Sequence, residues 1–97
     1  MDVRVFKLTN GEEFIAEVAE VNEEGVDFKH PVVLVSDGVG GHSFTPWIAT
    51  AKQTEFWIKS GDIRFMEEAV DELDEAYTSM FGAKSAIVVP DSKIILG

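Results

Sequence analysis

Two short apolar runs split by a polar turn constrain this chain more than any other feature in it. Phe56-Trp57-Ile58 and Ile63-Arg64-Phe65-Met66 flank Lys59-Ser60-Gly61-Asp62. Each run is long enough for a short strand and too short for a helix. Ser-Gly-Asp is turn chemistry, and Gly61 is expected to supply a positive φ that other residues resist. Strands this short, arriving late in a β-rich stretch, leave a sticky edge unless something pairs with them. Other copies of the same chain are the expected partner.

The residues before this stretch read as strands and turns. Val3 to Leu8 is a first strand, and Thr9-Asn10-Gly11 is a hairpin turn. Glu12 to Val21 follows as a long strand whose apolar phase is Phe14, Ala16, Val18 and then Ala19, Val21. A period-2 pattern that changes phase predicts a bulge or bend near Ala19. After the turn Asn22-Glu23-Glu24-Gly25, the spacing of Val26, Phe28, Val32 and Leu34 predicts one shared apolar face. Pro31 interrupts that strand and marks an edge or a bend. Ser36 to His42 is a glycine-rich loop, and Phe44 to Ala51 is a fourth strand carrying Pro46.

At Met66 the period changes to that of a helix. Ala69, Val70, Leu73, Ala76, Tyr77, Met80 and Phe81 recur at helical spacing, so a helix is expected over about 67–81. Acids crowd its first turns, where they favour the helix dipole, and Gly82 is a natural stop. Val70, Leu73 and Tyr77 are expected to pack on the sheet or on a neighbouring copy. The remainder, 83–97, is an apolar tail expected to pack on the domain or on a neighbour.

Composition narrows the function classes. Ninety-seven residues with 45% hydrophobic content make one domain with one modest core. No apolar run approaches the roughly 20 residues of a membrane span. The N-terminus has neither the basic region nor the apolar stretch of a signal peptide, so a cytoplasmic location without membrane contact is expected. Without cysteine there is no disulfide or thiolate metal site. The net charge of −10 opposes general nucleic-acid binding, since Lys and Arg supply most of that affinity. The excess is uneven, however. Glu67, Glu68, Asp71, Glu72, Asp74 and Glu75 fall together at the start of the helical region, where a solvated helix face accounts for them.

Signals for catalysis are poor. No serine sits in a nucleophile elbow. Asp37-Gly38-Val39-Gly40-Gly41 lacks a phosphate-loop lysine and reads as a plain loop. His30 and His42 are two lone histidines, better read as packed or solvated than as metal ligands. Neither an enzyme nor a cofactor is expected.

The order short strand, Asn-Gly turn, long bent strand, strand, loop, strand, Gly-Asp turn, short strand resembles the Sm-like (LSm) family over about residues 3–66. Lys7-Leu8-Thr9-Asn10-Gly11 followed by a bent strand resembles the first Sm motif. Ile58-Lys59-Ser60-Gly61-Asp62-Ile63 resembles the second. The chain departs from the family in having its helix after the strands, in Ala16 where a glycine is common, and in Ser60 displacing the motif's basic residue. A compact chain with a trailing helix looks most like the small phage-encoded Sm-like proteins, which would place it in the host cytoplasm.

The resemblance implies a small, strongly bent, five-stranded SH3-like barrel closing into a homo-oligomeric ring, with a C-terminal helix added. It implies single-stranded RNA binding at the pore through Asn22, Asp27, Lys59 and Ser60. Asn22 would read a base edge, Lys59 would meet phosphate, and Ser60 would donate or accept. Phe28 or His30 would serve as the stacking ring. The alternative function is an acidic oligomer that docks another protein, from host or phage, through its helix or tail without binding RNA.

Overall fold

The computed structural model describes residues 1–82 and 93–95. The strands are β1 (Val3–Leu8), β2 (Glu13–Val21), β3 (Gly25–Ser36), β4 (Gly41–Pro46), β5 (Glu55–Lys59), β6 (Ile63–Glu68) and β7 (Lys93–Ile95), with one helix, α1 (Asp71–Phe81). They make a mainly β protein with a single antiparallel sheet of order β6-β1-β2-β3-β4-β7, in which β5 also pairs with β3. Among the described residues there are seven strands, where the residue-by-residue reading gives six and the resemblance five. The expected fourth strand is β4, which runs over Gly41–Pro46 and not Phe44 to Ala51 and folds back along the far end of the long β3, and the additional strand β7 pairs with β4 at Gly41–Ser43. The rest of the predicted apolar tail lies outside the described residues.

Side-chain alternation curls the sheet around an aromatic core. Phe6 and Leu8 from β1, Phe14 and Ala16 from β2, and Val26 and Phe28 from β3 are buried together. Phe56 and Ile58 from β5, and Ile63 and Met66 from β6, pack against the same cluster. Both ends of the chain of strands β6-β1-β2-β3-β5 therefore reach one core. Phe14 stacks between Phe6 at 4.8 Å and Trp47 at 4.4 Å between ring centres. Such contacts add about 0.5–1.5 kcal/mol each beyond the area they bury.

Bulges let short strands turn this tightly. The β2–β3 register shifts between Ile15 and Glu17 and again between Val18 and Glu20, which places one irregularity at the predicted Ala19. In β3, His30 adopts φ 49°, immediately before Pro31. That residue resets the alternation. Val26 and Phe28 face the aromatic core, whereas Val32 and Leu34 join a second cluster with Val3, Ile15, Phe44 and Tyr77. The single shared face expected for these four residues is thus divided between two.

The second cluster is the outer face of the sheet under α1. Leu73, Ala76, Tyr77, Met80 and Phe81 pack there, as expected for Leu73 and Tyr77. Val70 does not: it is the N-cap residue and 60% exposed. The helix is also shorter than its periodicity predicts. Glu67 and Glu68 belong to β6, because the ladder to β1 runs on to Glu68 opposite Arg4. Tyr77 is wholly buried and fastens the helix to the bulges. Its hydroxyl accepts from the Glu17 N–H at 3.1 Å and lies 2.9 Å from the carbonyl oxygens of Lys29 and His30, to which it donates. His30 in turn stacks on Phe81 at 4.7 Å, with the rings 7° from parallel.

Candidate functional site

The β2–β3 turn forms because Asn22 caps it. Its Oδ1 accepts from the N–H groups of Glu24 and Gly25, at 2.9 and 3.1 Å, and its backbone N–H donates to the Gly25 carbonyl. This is an Asx turn, in which a short amide replaces a backbone partner. The turn does not need a positive φ at Gly25. It needs a missing side chain, since a Cβ there would overlap the Ile58 carbonyl and the Trp57 ring.

The second predicted turn is one turn of 3₁₀ helix, Ser60–Asp62, and Gly61 is not among the residues of positive φ. The expected left-handed glycine is therefore corrected: a 3₁₀ turn uses ordinary right-handed dihedrals. This geometry sends β6 away from β5 and onto β1, where the Thr9 N–H donates to the Asp62 carbonyl.

The two turns meet. The Ser60 N–H donates to the Glu24 carbonyl at 2.9 Å, and the Ser60 hydroxyl donates to the Glu23 carbonyl at 3.1 Å. Lys59 stands opposite Gly25 in the β3–β5 ladder. Asn22, Lys59 and Ser60 thus form one exposed cluster drawn from residues far apart in sequence. With its oxygen committed to the turn, Asn22 keeps its amide NH₂ as the group able to meet a ligand. Ser60 is likewise occupied in holding the turns together. Among the described residues Lys59 makes no ion pair; those present join Arg4 to Asp2 and Lys7 to Glu13.

Asp27 sits one pleat away. Because Val26 and Phe28, and Phe56 and Ile58, point to the core, the intervening Asp27 and Trp57 point outward, directly opposite one another. On its other side Asp27 faces Glu20, an unfavourable like-charge pair. Exposed Glu23 and Glu24 add further negative charge beside Lys59. The resulting surface carries a cation, an amide and several carboxylates.

Of the rings expected to stack on a base, Phe28 is buried inside the aromatic core and His30 is held against Phe81. The exposed ring on this face is Trp57, whose indole lies over Gly25. The sequence carried the signal for it. In Phe56-Trp57-Ile58 the flanking residues face the core, so the middle one must face outward.

Among the described residues no group of three or more His, Asp and Glu side chains is placed to hold a metal, and no helix is long and apolar enough to cross a membrane. No model of a known protein family matches the chain, and no curated protein matches it.

Proposed function

We propose that this chain is an Sm-like small barrel that assembles with copies of itself and presents the Asn22–Lys59–Ser60 turn cluster to single-stranded RNA. One observation carries this reading: β5 and β6, consecutive in sequence, pair with β3 and β1 and not with each other. Each therefore keeps one open ladder edge among the described residues, and the turn cluster lies between those edges. Open edges at two different places on one subunit favour a head-to-tail contact, which closes into a ring when the rotation allows.

Lys59 offers a clean test of the edge. The Ser60 N–H donates to Glu24, and the His30 N–H to Thr54, so the even positions of β5 bond to β3. The Lys59 N–H then faces the open edge, and its φ of −76° already suits proline. Lys59→Pro is expected to fold yet remain a single subunit by light scattering. Lys59→Ala, which keeps the N–H, should retain the native size. If Lys59→Pro assembles normally, this edge is not the contact.

RNA binding is tested with short oligo-U and oligo-A at low salt. Lys59→Ala should weaken binding and flatten its salt dependence, because one phosphate contact per engaged subunit disappears. Asn22→Ala should alter base preference with less effect on the salt slope. The second reading, a protein-docking oligomer, is favoured by Glu23 and Glu24 in the same turn as Asn22. Replacing both by glutamine should strengthen RNA binding. If the native chain and that variant are equally silent towards RNA, the protein-docking reading replaces the RNA one.

A further inference from the structure

A groove of about 400 Å³ opens beside β2, β3 and β5, lined among others by Glu20, Asp27, Lys29, Gln53, Glu55 and Trp57. Strand register builds its charge. Glu20 stands opposite Asp27, Asp27 opposite Trp57, and Lys29 opposite Glu55. Lys29 faces Glu17 on its other side, so its charge is answered away from the Glu20–Asp27 pair. Glu20 and Asp27 are left facing each other with no cation between them. Among the described residues the ion pairs join Arg4 to Asp2 and Lys7 to Glu13, and neither reaches this groove.

An apolar hollow of about 180 Å³ adjoins the groove, with Pro31, Pro46, Ile48, Ala51 and Phe81 in its walls. Gln53 and Phe56 line both, so the two form one continuous surface. The hollow exceeds the roughly 150 Å³ that accepts a benzene-sized group. Its walls are fixed before anything enters. The His30 N–H donates to the Thr54 carbonyl at 2.7 Å, and the Trp47 N–H donates to the Pro31 carbonyl at 3.0 Å. The His30 ring lies flat on Phe81. A preformed hollow costs little to order on binding.

We propose that this surface docks a short segment of another protein that carries an arginine or lysine next to a bulky apolar residue. The cation lies against the exposed Trp57 indole and between the Glu20 and Asp27 carboxylates. The apolar side chain fills the hollow beyond Gln53. Charge complementarity selects such a partner. Like charges opposed across a ladder are costly until a cation joins them, and an indole face attracts a cation. The same carboxylates repel a phosphate backbone or an acidic segment. The proposal uses neither the open strand edges nor the Asn22–Lys59–Ser60 cluster, so it stands or falls apart from the assembly and RNA readings.

The probe is the peptide acetyl-Gly-Leu-Arg-Leu-Gly-amide, whose two leucines serve either chain direction, followed through the backbone amide NMR signals of the native chain. Saturable shifts are expected at Glu20, Asp27, Trp57 and Ala51. Replacing the peptide's arginine by glutamine, or both leucines by glycine, should weaken binding at least about fivefold. The double variant Glu20→Gln, Asp27→Asn should weaken the arginine peptide by a similar factor and leave the glutamine peptide unchanged. Its denaturant midpoint should rise, because the free chain loses a repulsion. Ala51→Leu, which fills the hollow, should weaken both peptides. Absence of shifts at millimolar peptide, or shifts indifferent to the arginine, overturns the proposal. Movement of the same signals by oligo-U would make the groove part of an RNA path and overturns it too. So does movement of the Glu20 and Ala51 signals on concentrating the chain alone, which would seat a second copy there. A double variant less stable than the native chain would mean that the two carboxylates serve the fold, and likewise sinks the proposal.

Discussion

Tyr77→Ala is expected to cost about 3–5 kcal/mol of folding stability, the range for removing a fully buried aromatic ring. Tyr77 has no exposed surface and packs between Phe44 and Phe81, so the surrounding side chains have little room to collapse into the space. Tyr77→Phe separates packing from hydrogen bonding. It keeps the ring but leaves the Glu17 N–H without its acceptor and the Lys29 and His30 carbonyls without their donor, for a loss of about 1–3 kcal/mol. Those three backbone groups lie at the bulges, where no neighbouring strand can take over. Denaturant unfolding of both variants checks the ranking. A Tyr77→Phe variant as stable as the native chain would mean that water meets these groups and that the hydroxyl does not fasten the helix.

The same residue sets an alkaline limit. Burial raises the Tyr77 phenol above its ordinary 10.0. Below that value folded and unfolded forms both hold the proton, and the stabilisation is fully present. As pH rises past about 10 the unfolded form ionises first, so stability falls. Tyr77→Phe should lack this limb.

Gly25→Ala is expected to cost about 3 kcal/mol, at the upper end of what a single inserted carbon usually does. The added carbon would meet the Ile58 carbonyl, which is backbone held in the β3–β5 ladder and cannot rotate away, as well as the Trp57 ring. Relief requires β5 to separate from β3 at the Lys59 end, which also displaces the Ser60 contacts to Glu23 and Glu24. Assembly should therefore fail together with stability. Gly61→Ala is the matching control. No atom lies within 4 Å of a Cβ there and the backbone is not left-handed, so the change should be within about 0.5 kcal/mol of neutral. A stable, assembling Gly25→Ala chain would show that β5 shifts freely on β3, and the close approach would lose its meaning.

What the sequence determined by itself is what depends on neighbours along the chain. Strand and helix type, the Asn10-Gly11 turn with Gly11 at φ 95°, the bulge near Ala19 and the helical face of Leu73 and Tyr77 all follow from local period and turn chemistry. The two turns of the candidate site were legible for the same reason, as were Asn22, Lys59 and Ser60 within them. Only the tertiary structure decided three further matters. A single left-handed residue, His30, moved Val32 and Leu34 to the other face, because one irregular residue inverts every later position in a period-2 pattern. The β1 ladder claimed Glu67 and Glu68 for β6 against their helical spacing, because backbone bonds to a strand some sixty residues earlier outweigh a weak local propensity. A 3₁₀ turn carried β6 past β5 to β1, leaving two edges open among the described residues and Trp57 outward. Which edges remain unpaired is a property of the whole sheet, and no window of sequence contains it.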